Sequence, residues 1–478
     1  MEMITVDVPS RGRIAMPPDQ ATVPRPGLQL WGWLIIGALV SNVAEGAIRK
    51  WVLFGSGQLI YFLTDFVVLA SYISFWINKK GRTSIPAVAT VPRWLVAVAL
   101  IVCFGIFNPI LGSMIVGVFG AKCYLLDSLM IFTIPLLFST KSGLYRFCRY
   151  YLLIAIPVCL LGAAQFAAPA DSVLNRYAAE GATISTFGEA GEGVRVTGTF
   201  AYITGHAVFL LIMVLLSLGV MATERRLWAR MVSIFVLVLV IANLFMSGTR
   251  AFLLIGGIMV FLVLVMFGFR RDNIGRRLRV LLVVGGIAGT SLVWVQFRRA
   301  YDAFLYRTHE TSETFGGRVF QEVDIMPYLA DYAGFLGLGP GITQPGGWAL
   351  RYAFSLPGPQ ISVPLAETEY ARILIEIGMV GLVLWYGLRV AILIAIWKVY
   401  RRLRSVELRF WAFLIFMLHL LTLDIGVVIN HTFAVYYWFF AGVAFALPRF
   451  EASEALDAER KALVRRIARI GPGPAFAR

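Results

Sequence analysis

The chain has 478 residues, enough for several soluble domains, but it is 59% hydrophobic and only 15% charged, with a mean hydropathy of +0.77. That composition excludes a soluble multidomain protein, because apolar runs of about 20 residues recur and each matches the thickness of a hydrocarbon core. The formal charge of +16 does not point to nucleic acid either, since the Lys and Arg residues cluster in short loops on alternate sides of the apolar runs, the pattern that sets membrane orientation.

In chain order, residues 1–27 form a polar tail with Pro9, Pro17, Pro18, Pro24 and Pro26 and no apolar core of a signal peptide. Spanning helices are predicted near 28–44, 59–77, 93–110, 121–139, 150–168, 201–222, 229–247, 251–269, 279–297, 370–397, 408–425 and 430–448. The fold class is therefore all-α: a polytopic integral membrane protein of about 12 transmembrane helices. Most Lys and Arg fall on the inner side if both termini are cytoplasmic. The transmembrane domain covers 28–448, with one long outer loop, 298–369, between spans 9 and 10. Residues 449–478 form a basic cytoplasmic tail, and Glu451 to Ile470 read as a basic amphipathic helix on the inner membrane surface. Trp31, Trp33, Trp51, Trp94 and Trp438 fall near span ends, as interfacial belts predict. Tyr436-Tyr-Trp-Phe-Phe suits a sugar path or packing between helices equally well. Cys103, Cys123, Cys148 and Cys159 lie in or beside apolar segments without a CxxC pair, which indicates neither a disulfide framework nor a zinc site.

The inner loops carry no nucleotide-binding motif, neither a P-loop nor GxGxxG. Chemistry belongs to the outer face, where the donor must arrive already activated. Three outer segments are unusually polar: Asp171–Thr199, the turn Met246-Ser-Gly-Thr-Arg-Ala, and the 298–369 loop. Outer-face arginines run against the insertion bias. Gly-flanked arginines at three helix mouths suit a polyanion, because guanidinium forks bind phosphate oxygens in bidentate fashion. Taken singly, each of them can equally snorkel to headgroups.

Arg195-Val-Thr-Gly-Thr-Phe, Ser247-Gly-Thr-Arg-Ala, Gly317-Arg-Val-Phe, Gly337-Leu-Gly-Pro-Gly and Glu369-Tyr-Ala-Arg-Ile-Leu-Ile-Glu-Ile-Gly-Met-Val-Gly-Leu occur in this order. Together they resemble the O-antigen ligase / O-antigen polymerase family of bacterial envelope glycosyltransferases, over about residues 30 to 445. Glu45-Gly-Ala-Ile-Arg-Lys-Trp and Phe62-Leu-Thr-Asp-Phe look like a subgroup linked with exopolysaccharide synthesis. The resemblance implies a metal-independent inverting transfer, with no cofactor, from an undecaprenyl-diphosphate-linked oligosaccharide to an acceptor glycan hydroxyl. It places the reaction on the periplasmic side of the bacterial inner membrane, in contact with its lipids. Flippase and chain-length regulator proteins are the implied protein partners. By motif, Arg195, Arg250 and Arg318 are the diphosphate-binding arginines. Where ligases carry a His, three residues before the aromatic Tyr370, this chain has Glu367. A carboxylate can take a proton from an attacking hydroxyl, so the catalytic candidates are Glu367 and its neighbour Glu369. The swap favours a polymerase over a ligase. A structural alternative keeps both acids as caps of the helix that opens near Tyr370.

Arg49, Lys50, Arg372, His206 and His431 are further substrate-binding candidates, each with a bland alternative as a headgroup anchor or a satisfied core residue. Asp424 beside His431 adds weight to that position. Asp65 and Asp127 fall within spans, where a carboxylate costs roughly 2.5–3.5 kcal/mol; they are expected to face a polar interior or to pair with a cation, and Arg389 poses the same question. Glu322-Val-Asp324 has the spacing of a DxD motif but lacks the nucleotide-sugar fold around it, so no metal site is assigned. A competing class is a flippase of lipid-linked oligosaccharide, although no repeat relates the two halves of the chain.

Overall fold

The computed structural model describes residues 28–53, 57–78, 90–178, 183–187, 193–280, 315–364 and 368–470, together with 283, 284, 286, 298 and 302. Among the described residues the architecture is all-helical, and the one pairing of extended backbone is an isolated bridge between Thr186 and Val194. The helices are α1 (Leu30–Ala47), α2 (Leu63–Asn78), α3 (Val91–Gly105), α4 (Met114–Leu125), α5 (Met130–Leu137), α6 (Lys141–Leu152), α7 (Ala155–Ala167), α8 (Ile203–Thr223), α9 (Leu227–Ser247) and α10 (Arg250–Val263). They continue with α11 (Phe315–Ala333), α12 (Pro345–Phe354), α13 (Glu369–Arg402), α14 (Val406–Leu421) and α15 (His431–Ile470).

Nine helical segments among the described residues are long and apolar enough to cross a membrane, the build of a helical membrane protein. They fall on nine of the twelve apolar runs. Of the other three, 93–110 overlaps α3, a helix of 15 residues, and 408–425 overlaps α14, of 16 residues. The run 279–297 lies largely outside the described residues.

The bundle closes around α8, buried along almost its whole length, with α6, α9, α10, α14 and α15 against it. A helix that is apolar all round belongs inside, and close approach there depends on small residues. A Cβ on Gly219 would lie 2.3 Å from the Trp411 ring, and that indole donates to Thr223 Oγ1 at 3.2 Å. The Tyr436–Phe440 run is buried too, so packing accounts for it. Trp438 is 1% exposed and meets Trp385 edge-on, which removes it from the interfacial belt.

Two elements depart from expectation. The segment 451–470 is helical, but it continues α15 without interruption through Pro448 and does not start a separate surface helix. It docks where it leaves the bundle: Glu451 Oε1 accepts from the Arg404 and Ser405 amides, and Glu454 pairs with Lys141 at 2.7 Å. The second is α13, which is two helices, not a single straight span over 370–397. Gly378 has φ +71° and ψ −173°, a region open in practice only to glycine. The chain folds back there, because Glu369 and Arg389 touch although a straight helix would hold them roughly 30 Å apart.

Candidate functional site

The break at Gly378 leaves backbone groups that need partners, and the Gly337-Leu-Gly-Pro-Gly stretch supplies them. Leu338 N and Gly339 N donate to the carbonyls of Ile375 and Glu376, at 2.8 and 2.9 Å. On the other side of the break, Met379 N and Val380 N donate to Gly334 O and Phe335 O. Irregular backbone at membrane depth is tolerated when it is buried in protein in this way. A Cβ on Gly337 would meet the Glu376 carbonyl at 2.5 Å. Glu376 is clasped as well: Oε1 accepts from Thr343 N and Oγ1 at 3.2 and 2.7 Å, and Oε2 from the Tyr124 hydroxyl at 2.9 Å. Two stretches of the resemblance thus form one structural clasp.

Beside the start of α13 lies a polar cavity of about 460 Å³. The end of α1, the 200–205 segment, Thr368–Glu369 and the 424–432 turn wall it, and Glu45, Arg49, Tyr61, Tyr202, Asp424 and His431 supply its polar surface. A larger cavity, about 1270 Å³, is lined mostly by apolar groups such as Trp31, Trp33 and Phe75. A third cavity, about 540 Å³, is lined by charged groups such as Lys141, Arg149, Glu224 and Glu407, so neither volume nor charge chooses the site; what distinguishes the cavity beside α13 is that Glu45, Phe200 and Glu369, from three of the motifs, meet on its wall.

Helix α1 ends in a π-helical turn, Ile48–Val52, a feature common at functional sites. Arg49 lies 3.7 Å from Glu45 and over the Tyr61 ring at 5.5 Å, and Glu45 also accepts from Thr64 at 3.3 Å. Lys50 points the other way and is fully buried, donating to Thr197 Oγ1 at 2.6 Å and Gly198 O at 3.0 Å. Gln165 Oε1 accepts from the Thr197 and Gly198 amides. Lys50 is thus a tether for the 195–199 segment and not a cation on the cavity wall. That segment lies on the second motif: Val196 N donates to Met246 O at 3.2 Å and Arg195 Nε to Ser247 O at 3.0 Å. Arg250 opens α10 and lines a groove with Leu253, Leu254 and Gly257, while Phe252, two residues on, lines the polar cavity. The first two arginine motifs therefore meet at one turn.

The remaining candidates separate. Glu367 lies outside the described residues, next to cavity-lining Thr368. Arg318 sits on α11, and its side chain is outside the described set. Glu369 is committed: Oε2 takes Arg389 Nη1 at 2.6 Å, and Oε1 takes the Val427 and Val428 amides at 2.6 and 2.8 Å. A carboxylate with both oxygens engaged is a poor proton acceptor, which corrects its reading as a base. Arg372 donates to Thr343 O at 2.7 Å, bracing the clasp. His206 is fully buried beside Phe200 and off the cavity wall. His431 is on the wall. Of the two carboxylates expected to pair with a cation, Asp65 does so, with Lys122 Nζ at 2.7 Å.

Sequence reasoning missed Glu45, Tyr61 and Tyr202 as site residues; a tyrosine near a span end reads the same whether it anchors to headgroups or faces a cavity. Among the described residues no group of three His, Cys, Asp or Glu side chains could hold a metal ion. No protein-family model matches this chain, and no curated protein matches it.

Proposed function

We propose that the chain is a membrane-embedded glycosyltransferase that assembles surface polysaccharide. It moves an oligosaccharide from undecaprenyl diphosphate to an acceptor glycan hydroxyl at the periplasmic face of the bacterial inner membrane. Both termini are cytoplasmic in this reading and the 298–369 loop is periplasmic. The observation that carries it is the cavity's position: its walls join Glu45 and Arg49 at the end of α1, Phe200 at the end of the Arg195 motif, Phe252 of α10, and Thr368, next to Glu367. Segments that are far apart in sequence and that carry the motifs of the resemblance thus border one polar space. Arg195, Arg250 and Arg318 hold the departing diphosphate, and charge developing there is where preorganised donors contribute most.

Repeat-unit polymerisation is favoured over ligation to lipid A–core, because Glu367 stands where ligases carry a histidine. The Asp65–Lys122–Asp127 charges inside the spans favour the second reading, a flippase. Purified protein supplied with a lipid-diphosphate oligosaccharide decides between them. Release of lipid diphosphate with longer glycan supports the transferase, and movement of the lipid without bond formation supports the flippase. A null strain that accumulates single repeats points to a polymerase, whereas one that accumulates lipid-linked long polymer points to a ligase.

A further inference from the structure

At the end of the bundle away from the polar cavity, two further cavities adjoin. The one of about 1270 Å³ lies between α1, the end of α2, α5 and α6, with Trp31, Trp33, Ile36, Phe75, Leu136 and Phe147 on its walls. Tyr151, which also lines it, ties α6 to α1 through a hydroxyl that donates to Leu39 O at 3.0 Å. On α1 the wall reaches from Leu30 to Val40, about 15 Å at the helical rise per residue. That is the depth of one leaflet, half of a hydrocarbon core about 30 Å thick. Leu30, Trp33 and Val40 are exposed, so the slot opens on the flank of the bundle, where lipid chains lie.

The slot has a polar rim at the turn into α6, formed by Ser139, Thr140, Ser142 and Arg146. Thr140, Ser142 and Arg146 also line the neighbouring cavity of about 540 Å³, together with Arg225 and Arg226. Ion pairs neutralise much of that second cavity: Lys141 with Glu407 and Glu454, and Arg149 with Glu224. Arg146, Arg225 and Arg226 then stand against Asp457, none of the four in an ion pair among the described residues. Arg149 is 7% exposed, and its Nε is buried with no hydrogen-bond partner among the described residues. An apolar slot one leaflet deep thus leads, over a shared rim of hydroxyls and one guanidinium, into a pocket with excess positive charge. Basic pockets between spanning helices suit anionic lipid headgroups.

We propose that the two cavities are one binding site for an anionic phospholipid, with its acyl chains in the slot between α1 and α6 and its phosphate on the Thr140–Ser142–Arg146 rim. The guanidinium fork takes two phosphate oxygens, and the hydroxyls donate to them. Headgroup charge selects among lipids. A phosphatidylglycerol brings a phosphate and no cation, whereas the choline of a phosphatidylcholine would lie toward Arg225 and Arg226. A lipid seated there fills the space between α1 and α6 and steadies the helix whose other end carries Glu45 and Arg49. The site stands whether or not the chain transfers sugar, because no residue lines both it and the polar cavity.

Native mass spectrometry of the full-length chain, delipidated in detergent, tests this by titration with phosphatidylglycerol and with phosphatidylcholine of the same acyl chains. One phosphatidylglycerol binds about 10-fold or more tightly than phosphatidylcholine. Arg146→Gln weakens phosphatidylglycerol about 10-fold, the usual loss for a hydrogen bond to a charged group, and narrows the preference. Val40→Trp puts a ring into the slot and weakens both lipids. Arg402→Gln lies at the same end of the bundle on the wall of neither cavity; it leaves binding unchanged and controls for general attraction to a basic surface. Arg146 and Val40 are both exposed, so neither variant removes a core contact. Equal affinity for the two lipids overturns the inference, and is the outcome expected if residues 1–27 or detergent occupy the slot. So does phosphatidylglycerol binding untouched by Val40→Trp, which would seat the chains elsewhere. A loss in Arg402→Gln as large as in Arg146→Gln also overturns it, since any surface arginine would then serve.

Discussion

Glu369 and Arg389 form a fully buried ion pair at 2.6 Å across the two arms of a helical hairpin. The guanidinium also donates to Thr422 O at 2.6 Å, and it lies over the Tyr437 ring. One pair thereby fixes the hairpin to the turn between α14 and α15, which walls the cavity. Removing either partner strands a buried charge, so Glu369→Gln and Arg389→Met each destabilise the fold by about 3–5 kcal/mol. The double change Glu369→Met/Arg389→Met recovers much of that loss, because no charge is left unpaired. Thermal unfolding in one detergent checks this; a double variant less stable than both singles refutes it.

Gly378→Ala acts on the same hairpin through the backbone. The left-handed geometry costs a non-glycine residue about 1–3 kcal/mol, and the added Cβ would lie 2.3 Å from the Phe335 carbonyl oxygen. The expected outcome is loss of the monodisperse peak in size-exclusion chromatography. Gly257→Ala is the control. Its Cβ meets nothing within 4 Å in mid-α10, and alanine there gains up to about 1 kcal/mol of helix propensity.

Some of this is legible in the chain and some is not, for physical reasons. A run of about 20 apolar residues has one economical solution in hydrocarbon, so the nine candidate spans among the described residues follow from composition. The break at Gly378 does not, because the run from Ile373 to Val383 is equally apolar straight or folded. What decides is the pairing with Gly334–Gly339, about 40 residues earlier in the chain. The same holds for Glu369. An acid at a helix start reads as a cap or a base, and its partner sits at a spacing that no helical periodicity connects. The Arg195 and Ser247 motifs are legible as polar helix mouths, and their contact follows from the packing of α7 and α8 against α9, the helix that ends at Ser247.

At the opposite end of the bundle from the cavity, Glu224, between α8 and α9, pairs with Arg149 of α6 at 2.7 Å. Burial pushes its carboxyl up, but the Arg226 and Arg225 amides and the Arg149 guanidinium outweigh that and hold it below the usual carboxylate range. A depressed folded value means the pair's stabilisation is present above the unfolded value, near 4.5, and is lost as pH falls through the folded one. The melting temperature therefore stays level above about pH 5.5 and drops on the acid side. In Glu224→Gln the same acid limb is shallower and the neutral-pH melting temperature lower. Parallel acid limbs in the two proteins would sink the assignment.

Arg195 and Arg250 are separable by the turn contact that Arg195 makes. The Arg195 Nε donates to Ser247 O, so Arg195→Gln weakens the turn as well as any anion site and lowers melting temperature and activity together. Arg250→Gln leaves that contact in place. A hydrogen bond to a charged group contributes about 1.5–3 kcal/mol, so under the proposed function Arg250→Gln raises the KM for the lipid-diphosphate donor by about 10–150-fold. Arg250→Lys recovers only part of this, since an ammonium keeps the charge but lacks the planar fork that grips two phosphate oxygens. A donor KM unchanged in Arg250→Gln removes this arginine from the diphosphate site, whatever the fate of Arg195.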